Sequence, residues 1–141
     1  MNPELAKMIN DSNFAVDPEN YLFVTVSAMP KPGSFRMVFQ DAVETTVVCP
    51  ESRLTELEVV AQNPKTYRLL RVNPSMPFYA TGFTGAVTSA IGAANVNVVV
   101  LGTYSFDYVA VRQEQLEPAV AALEKLGLRQ AQFTAQQEQA S

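Results

Sequence analysis

The chain has no histidine, and Cys49 is its only cysteine. Without histidine, Ser-His-Asp and Cys-His nucleophilic catalysis and most zinc sites are excluded. A single cysteine allows no intrachain disulfide, and a reducing cytoplasm is the expected compartment. No base accompanies Cys49, which stands before Pro50 and reads as a buried strand-end residue. Charge is sparse: 17% of residues are charged, the net charge is −4, and no basic cluster marks a nucleic-acid partner. No apolar run approaches the length of a membrane span, and no signal peptide is recognisable, so no membrane association is expected.

What remains is 141 residues with 48% hydrophobic content. That is one ordinary domain or two small ones, large enough to bury roughly 68% of its extended-state surface without a metal or disulfide. No cofactor is expected.

The stretch from Thr81 to Val111 organises the chain. Phe83, Val87, Ala90, Ile91 and Ala94 share one stripe of a helix, with Thr84, Thr88 and Ser89 off it. Gly82 stands at the helix entrance, where a positive φ costs little. Gly85 and Gly92 are poor helix formers, so close packing or a ligand is the usual reason for them. Asn95 suits the left-handed stop. Val96 to Leu101 reads as a central strand covered on both faces, in which Asn97 would be an amide in need of a partner. Gly102 to Asp107 is a turn, and Tyr108 to Val111 the next strand. Strand, helix, strand, strand is half of a βαββαβ unit.

In order from the start, Pro3 to Asn10 reads as a short helix and Asp17 to Asn20 as a turn. Strands follow at Tyr21–Ala28, Ser34–Phe39 and Val43–Cys49. The five residues from Met29 to Gly33 leave no room for a helix between the first two. Glu51 to Gln62 is expected as a helix burying Leu54, Leu57 and Val60 or Ala61, and Tyr67 to Val72 as a strand. Asn73 to Tyr79, with two prolines, links to the organising stretch. Leu116, Ala119, Val120, Leu123 and Leu126 form the stripe of a last helix stopped by Gly127, and Arg129 to Thr134 a weak edge strand. The fold class is therefore α+β, two ferredoxin-like units in tandem, the first lacking its first crossover helix. The expected division is 1–64, 65–134 and a polar tail, 135–141.

The G-F-T-G-A-V-T run opening the helix and the T-Y-S-F-D-Y-V-A-V run over Thr103 to Val111 resemble ACT domains. The chain is similar to small tandem ACT-like proteins related to amino-acid sensors of the arginine-sensor type, with coverage of about residues 4 to 128. The resemblance implies ligand binding where ACT units meet edge to edge. Carried over, the ligand-binding residues are Thr81, Gly82, Phe83, Thr84 and Gly85 in the loop, with Asn95, Val96, Asn97, Thr103, Ser105 and Asp107 facing them. The chain departs from the pattern in its long, proline-bearing linker and in Phe106, which replaces a small or polar residue.

A zwitterionic amino acid needs donors for its carboxylate and acceptors for its ammonium. A helix N-terminus supplies the first; an amide, a strand carbonyl or one carboxylate supplies the second. Each residue also has a plainer role: turn geometry for Gly82 and Gly85, capping for Thr84, turn closure for Asp107. Three readings stay open. The first is a non-catalytic regulatory sensor of a small molecule, an amino acid by the resemblance, acting as a homodimer or higher homo-oligomer. The second is a ligand-free dimerisation or protein-interaction module acting in trans. The third is an enzyme, for which no catalytic pair is visible.

Overall fold

The computed structural model describes residues 1–75 and 81–134. The linker expectation at Asn73–Tyr79 therefore lies partly, and the tail 135–141 wholly, outside the described residues. The chain folds as two compact units: Glu19–Tyr67 is one, and the segments on either side of it, Met1–Pro18 and Arg68 onward, make the other. The expected division at residue 64 thus runs differently. The N-terminal segment joins the C-terminal unit because it carries that unit's own core residues.

The inserted unit contains β2 (Tyr21–Val26), β3 (Met37–Gln40), β4 (Thr45–Pro50) and β5 (Val59–Gln62). Their order is β3-β4-β2-β5, with antiparallel pairing throughout. This is the ferredoxin-like order. No helix joins β2 to β3, as the short spacing predicts. A salient tie there is Arg36, whose Nε and Nη2 donate to the Tyr21 hydroxyl at 3.1 and 3.0 Å. The expected helix over Glu51–Gln62 is not formed. Glu51–Glu56 makes a 3-10 turn, closed by the Leu57 N–H on the Leu54 carbonyl, and Val59–Gln62 pairs with the edge of β2. The apolar spacing fits a helix, but β-branched Val59 and Val60 favour a strand, and β2 has an edge to satisfy. Leu54 and Leu57, with Phe35, pack on the core of Leu22, Val24, Val26, Val47 and Cys49, where helices would otherwise lie.

The second unit contains α1 (Pro3–Asp11), β1 (Asn13–Val16), β6 (Tyr67–Asn73, from Arg68), α2 (Phe83–Ala93), β7 (Val99–Gly102), β8 (Asp107–Arg112), α3 (Leu116–Leu126) and β9 (Arg129–Ala131). Its strands run β7-β8-β6-β1-β9. β1, which the sequence pattern did not reveal, lies between β6 and β9, antiparallel to the first and parallel to the second. It places Phe14 in a core with Ile9, Leu70, Val72, Phe83, Val87, Ile91, Val109, Val111, Ala119 and Leu123. Burying a side chain such as Phe14 contributes about 1.5–3 kcal/mol.

The valine run also differs from expectation. β7 is an edge strand, paired with β8 alone among the described strands, and Val99 and Val100 are each 38% exposed. The run is apolar for three separate reasons. Val96 is buried in the core, Val98 packs partly against it, and Val100 sits opposite Val109 on the helix side of the sheet.

Candidate functional site

α2 begins at Gly82, which holds φ +86°, the left-handed conformation that glycine allows. A Cβ there would also meet Leu5 Cδ2 at 3.3 Å. Among the described residues no side chain caps the helix. The first-turn amides of Phe83, Thr84 and Gly85 lack intrahelical acceptors, since Ala86 is the first to bond back, to the Gly82 carbonyl at 2.9 Å. An uncapped start concentrates the positive end of the helix dipole.

Phe83 and Thr84 line a crevice with Val72, Val87, Thr88, Val100, Asp107 and Val109. Asp107 opens β8 and points to the helix side of the sheet, like Val109 two residues on. Its carboxyl is partly buried, and burial raises its pKa above the usual carboxylate range. Among the described residues it has no hydrogen-bond or salt-bridge partner. The expected turn-closing role belongs to Thr103 instead. Its N–H donates to the Phe106 carbonyl at 2.8 Å, and its hydroxyl accepts from the Phe106 N–H at 3.1 Å. Among the described residues the Asp107 carboxylate thus neither closes its turn nor meets a cation, and it lines the crevice with Thr84 of the first helical turn.

The crevice encloses about 10 Å³, room for one water at most. Phe83, fully buried, closes its floor. The crevice is therefore too small to enclose an amino acid. Gly85 has open space where a Cβ would stand, so close packing does not explain this glycine; the same holds for Gly92.

The sequence-predicted residues fall into two groups. Thr81 to Gly85 start the helix, and Thr84 and Phe83 share the crevice with Asp107. Thr103 and Ser105 stand in the adjacent turn. Asn95, Val96 and Asn97 lie past the other end of α2, about 16 Å away along the axis. Asn95 takes φ +60° as the expected stop. Asn97 is exposed and precedes β7 rather than being buried within it, and its N–H meets Gln115 Oε1 at 3.4 Å. Thr88 and Val100 line the crevice and were missed. The helical spacing of Thr84 and Thr88 was the available signal.

A wider groove of about 530 Å³ runs between α2 and α3, lined by alanines with Lys125 and Leu126. It offers no carboxylate to an ammonium group, so it fits a zwitterion less well than the smaller crevice. Among the described residues, no three His, Cys, Asp or Glu side chains gather as a metal ion would require. Also among them, no helix is long and apolar enough to cross a membrane.

A family profile described as the ACT domain matches residues 62–125, which hold all of β6, α2, β7 and β8 and nearly all of α3. This segment of the chain is similar to ACT domains. The fold of most of the chain recurs in solved structures. A Vibrio cholerae protein of unknown function, described as a possible transport protein, is 17% identical with a TM-score of 0.69, over 88% of this chain and 96% of its own. An Agrobacterium tumefaciens protein is 20% identical with a TM-score of 0.72, over 87% and 94%. The ligand-free regulatory subunit of aspartate kinase from Thermus thermophilus is 12% identical with a TM-score of 0.58, over 80% and 95%. No curated protein matches by sequence.

Proposed function

We propose that the chain is a non-catalytic regulatory protein of the cytoplasm that binds an amino acid at the mouth of the Asp107 crevice. The ligand carboxylate would take the first-turn amides of α2 and its ammonium the Asp107 carboxylate. A second copy would cover the mouth, so that the site is shared between ACT units of a homodimer. The observation that carries this reading is the partly buried Asp107 carboxylate, without a partner among the described residues, on one crevice with the first turn of a helix that no described side chain caps. The likeness to an aspartate kinase regulatory subunit supports a regulatory role.

A thermal-shift screen of the amino acids at millimolar concentration tests it. A ligand at a hundred times its Kd adds about 2.7 kcal/mol. At least one amino acid should raise Tm; silence from all of them would sink the reading.

A second reading, a ligand-free interaction module, draws on β7. Its sequence, V-V-L-G, carries no charge, proline or bulge to discourage a further strand, and its valines are exposed. The two readings separate on whether dimerisation survives without any small molecule that shifts Tm.

A further inference from the structure

Arg71 is 2% exposed and lies on the side of the β6 strand away from α2 and α3. Its guanidinium carbon stands 4.8 Å from the centroid of the Phe106 ring and 4.3 Å from that of Phe133. Such cation–aromatic contacts strengthen when water is excluded. The strand register explains how one side chain reaches both rings. Arg71 is opposite Ala15 on β1, and Ala15 is opposite Ala131 on β9. Directly opposed residues point to the same face of a sheet, so two methyl groups leave the long arginine room to cross. Phe133 follows Ala131 by two residues, just past the end of a three-residue strand.

Phe106 and Asp107 are neighbours with opposite orientations. Asp107 faces the helix side and lines the crevice; Phe106 faces Arg71. The turn between them and Thr103 is closed by short hydrogen bonds, so it moves as one piece. Fixing Phe106 on one face therefore fixes Asp107 on the other.

We propose that Phe133 is a latch on the candidate site: docked on Arg71, it completes the clasp that holds Phe106, and undocking it loosens the Thr103–Phe106 turn and displaces the Asp107 carboxylate. β9 is the natural moving part, since it is held to the sheet by three residue pairs with β1. Coupling of this kind requires an element with two arrangements, here Phe133 docked or undocked. By linkage, a ligand that orders Asp107 tightens the latch, and a partner that lifts β9 weakens the ligand. The latch gives a regulation to the site proposed above and rests on that reading for its purpose, but its physical content does not need a ligand.

Hydrogen exchange of the ligand-free chain, followed amide by amide, is the test. In Phe133→Ala the Thr103 and Phe106 amides should exchange roughly tenfold faster than in the parent, while those of β2 and β4 stay unchanged. Faster exchange confined to β9, with the turn amides as slow as before, would overturn the latch. Should Phe133→Ala fail to fold, Phe133→Leu keeps an apolar side chain without the aromatic face. It should still speed the turn amides, and an unchanged turn there would equally overturn the proposal. Because no ligand is added, failure here leaves amino-acid binding standing. Conversely, failure of every amino acid to bind would leave an observed acceleration intact.

Discussion

Asp107 and Thr84 line the same crevice without a hydrogen bond between their side chains. The core beneath them places an acidic side chain and a residue of the first helical turn on one crevice. Partial burial of the Asp107 carboxyl disfavours its charged form.

Asp107→Asn should stabilise the chain at neutral pH while abolishing ligand binding. Burial raises the folded carboxyl's pKa above its unfolded value. This group's contribution to stability is therefore full below the unfolded pKa and falls as pH rises through the folded one. Asparagine has no charge to desolvate. Thermal denaturation from pH 3 to pH 7 should show the parent's Tm losing ground to the variant's as pH rises.

Two helix glycines separate fold from function. Gly85 and Gly92 both have open space where an added methyl group would stand, so Gly85→Ala and Gly92→Ala should each add up to about 1 kcal/mol in urea unfolding. Only Gly85→Ala, beside the free amides, should weaken the ligand.

Gly82→Ala should go the other way, costing about 1–2 kcal/mol, because alanine is strained at φ +86°. Leu5→Ala in the same chain should not restore that loss, since relieving the 3.3 Å contact leaves the backbone conformation unchanged.

A fragment of residues 65–134 should fail to fold cooperatively. It lacks Ile9 and Phe14, which are fully buried in the core of the unit it would otherwise form. In the full chain, Phe14→Ala should cost about 3–5 kcal/mol. Circular dichroism of the fragment and urea unfolding of the variant check both.

Much of the fold was legible because the strongest patterns are local. The helical stripe of Phe83, Val87 and Ile91, the β2 alternation and the stops at Asn95 and Gly127 depend on residues a few places apart. β1 was missed because N-F-A-V is short and its reason for being a strand, the gap between β6 and β9, is set by residues far along the chain. The Glu51–Gln62 helix was misread because three apolar residues at helical spacing cannot report the free edge of β2. Asn97 looked buried because four valines surround it in sequence, but edge strands can be as apolar as central ones. At the site, Gly82, Thr84 and Asp107 were visible as residues of the right chemistry. The clasp of Arg71 by Phe106 and Phe133 was not, because it is assembled across three strands.

The most direct measurement is an NMR titration of the isotopically labelled chain with the amino acids, reading each backbone amide. The Thr84, Gly85 and Asp107 amides should shift first, saturably and with at least one amino acid. Shifts absent for all of them, or confined to the groove between α2 and α3, would contradict a receptor at the start of α2.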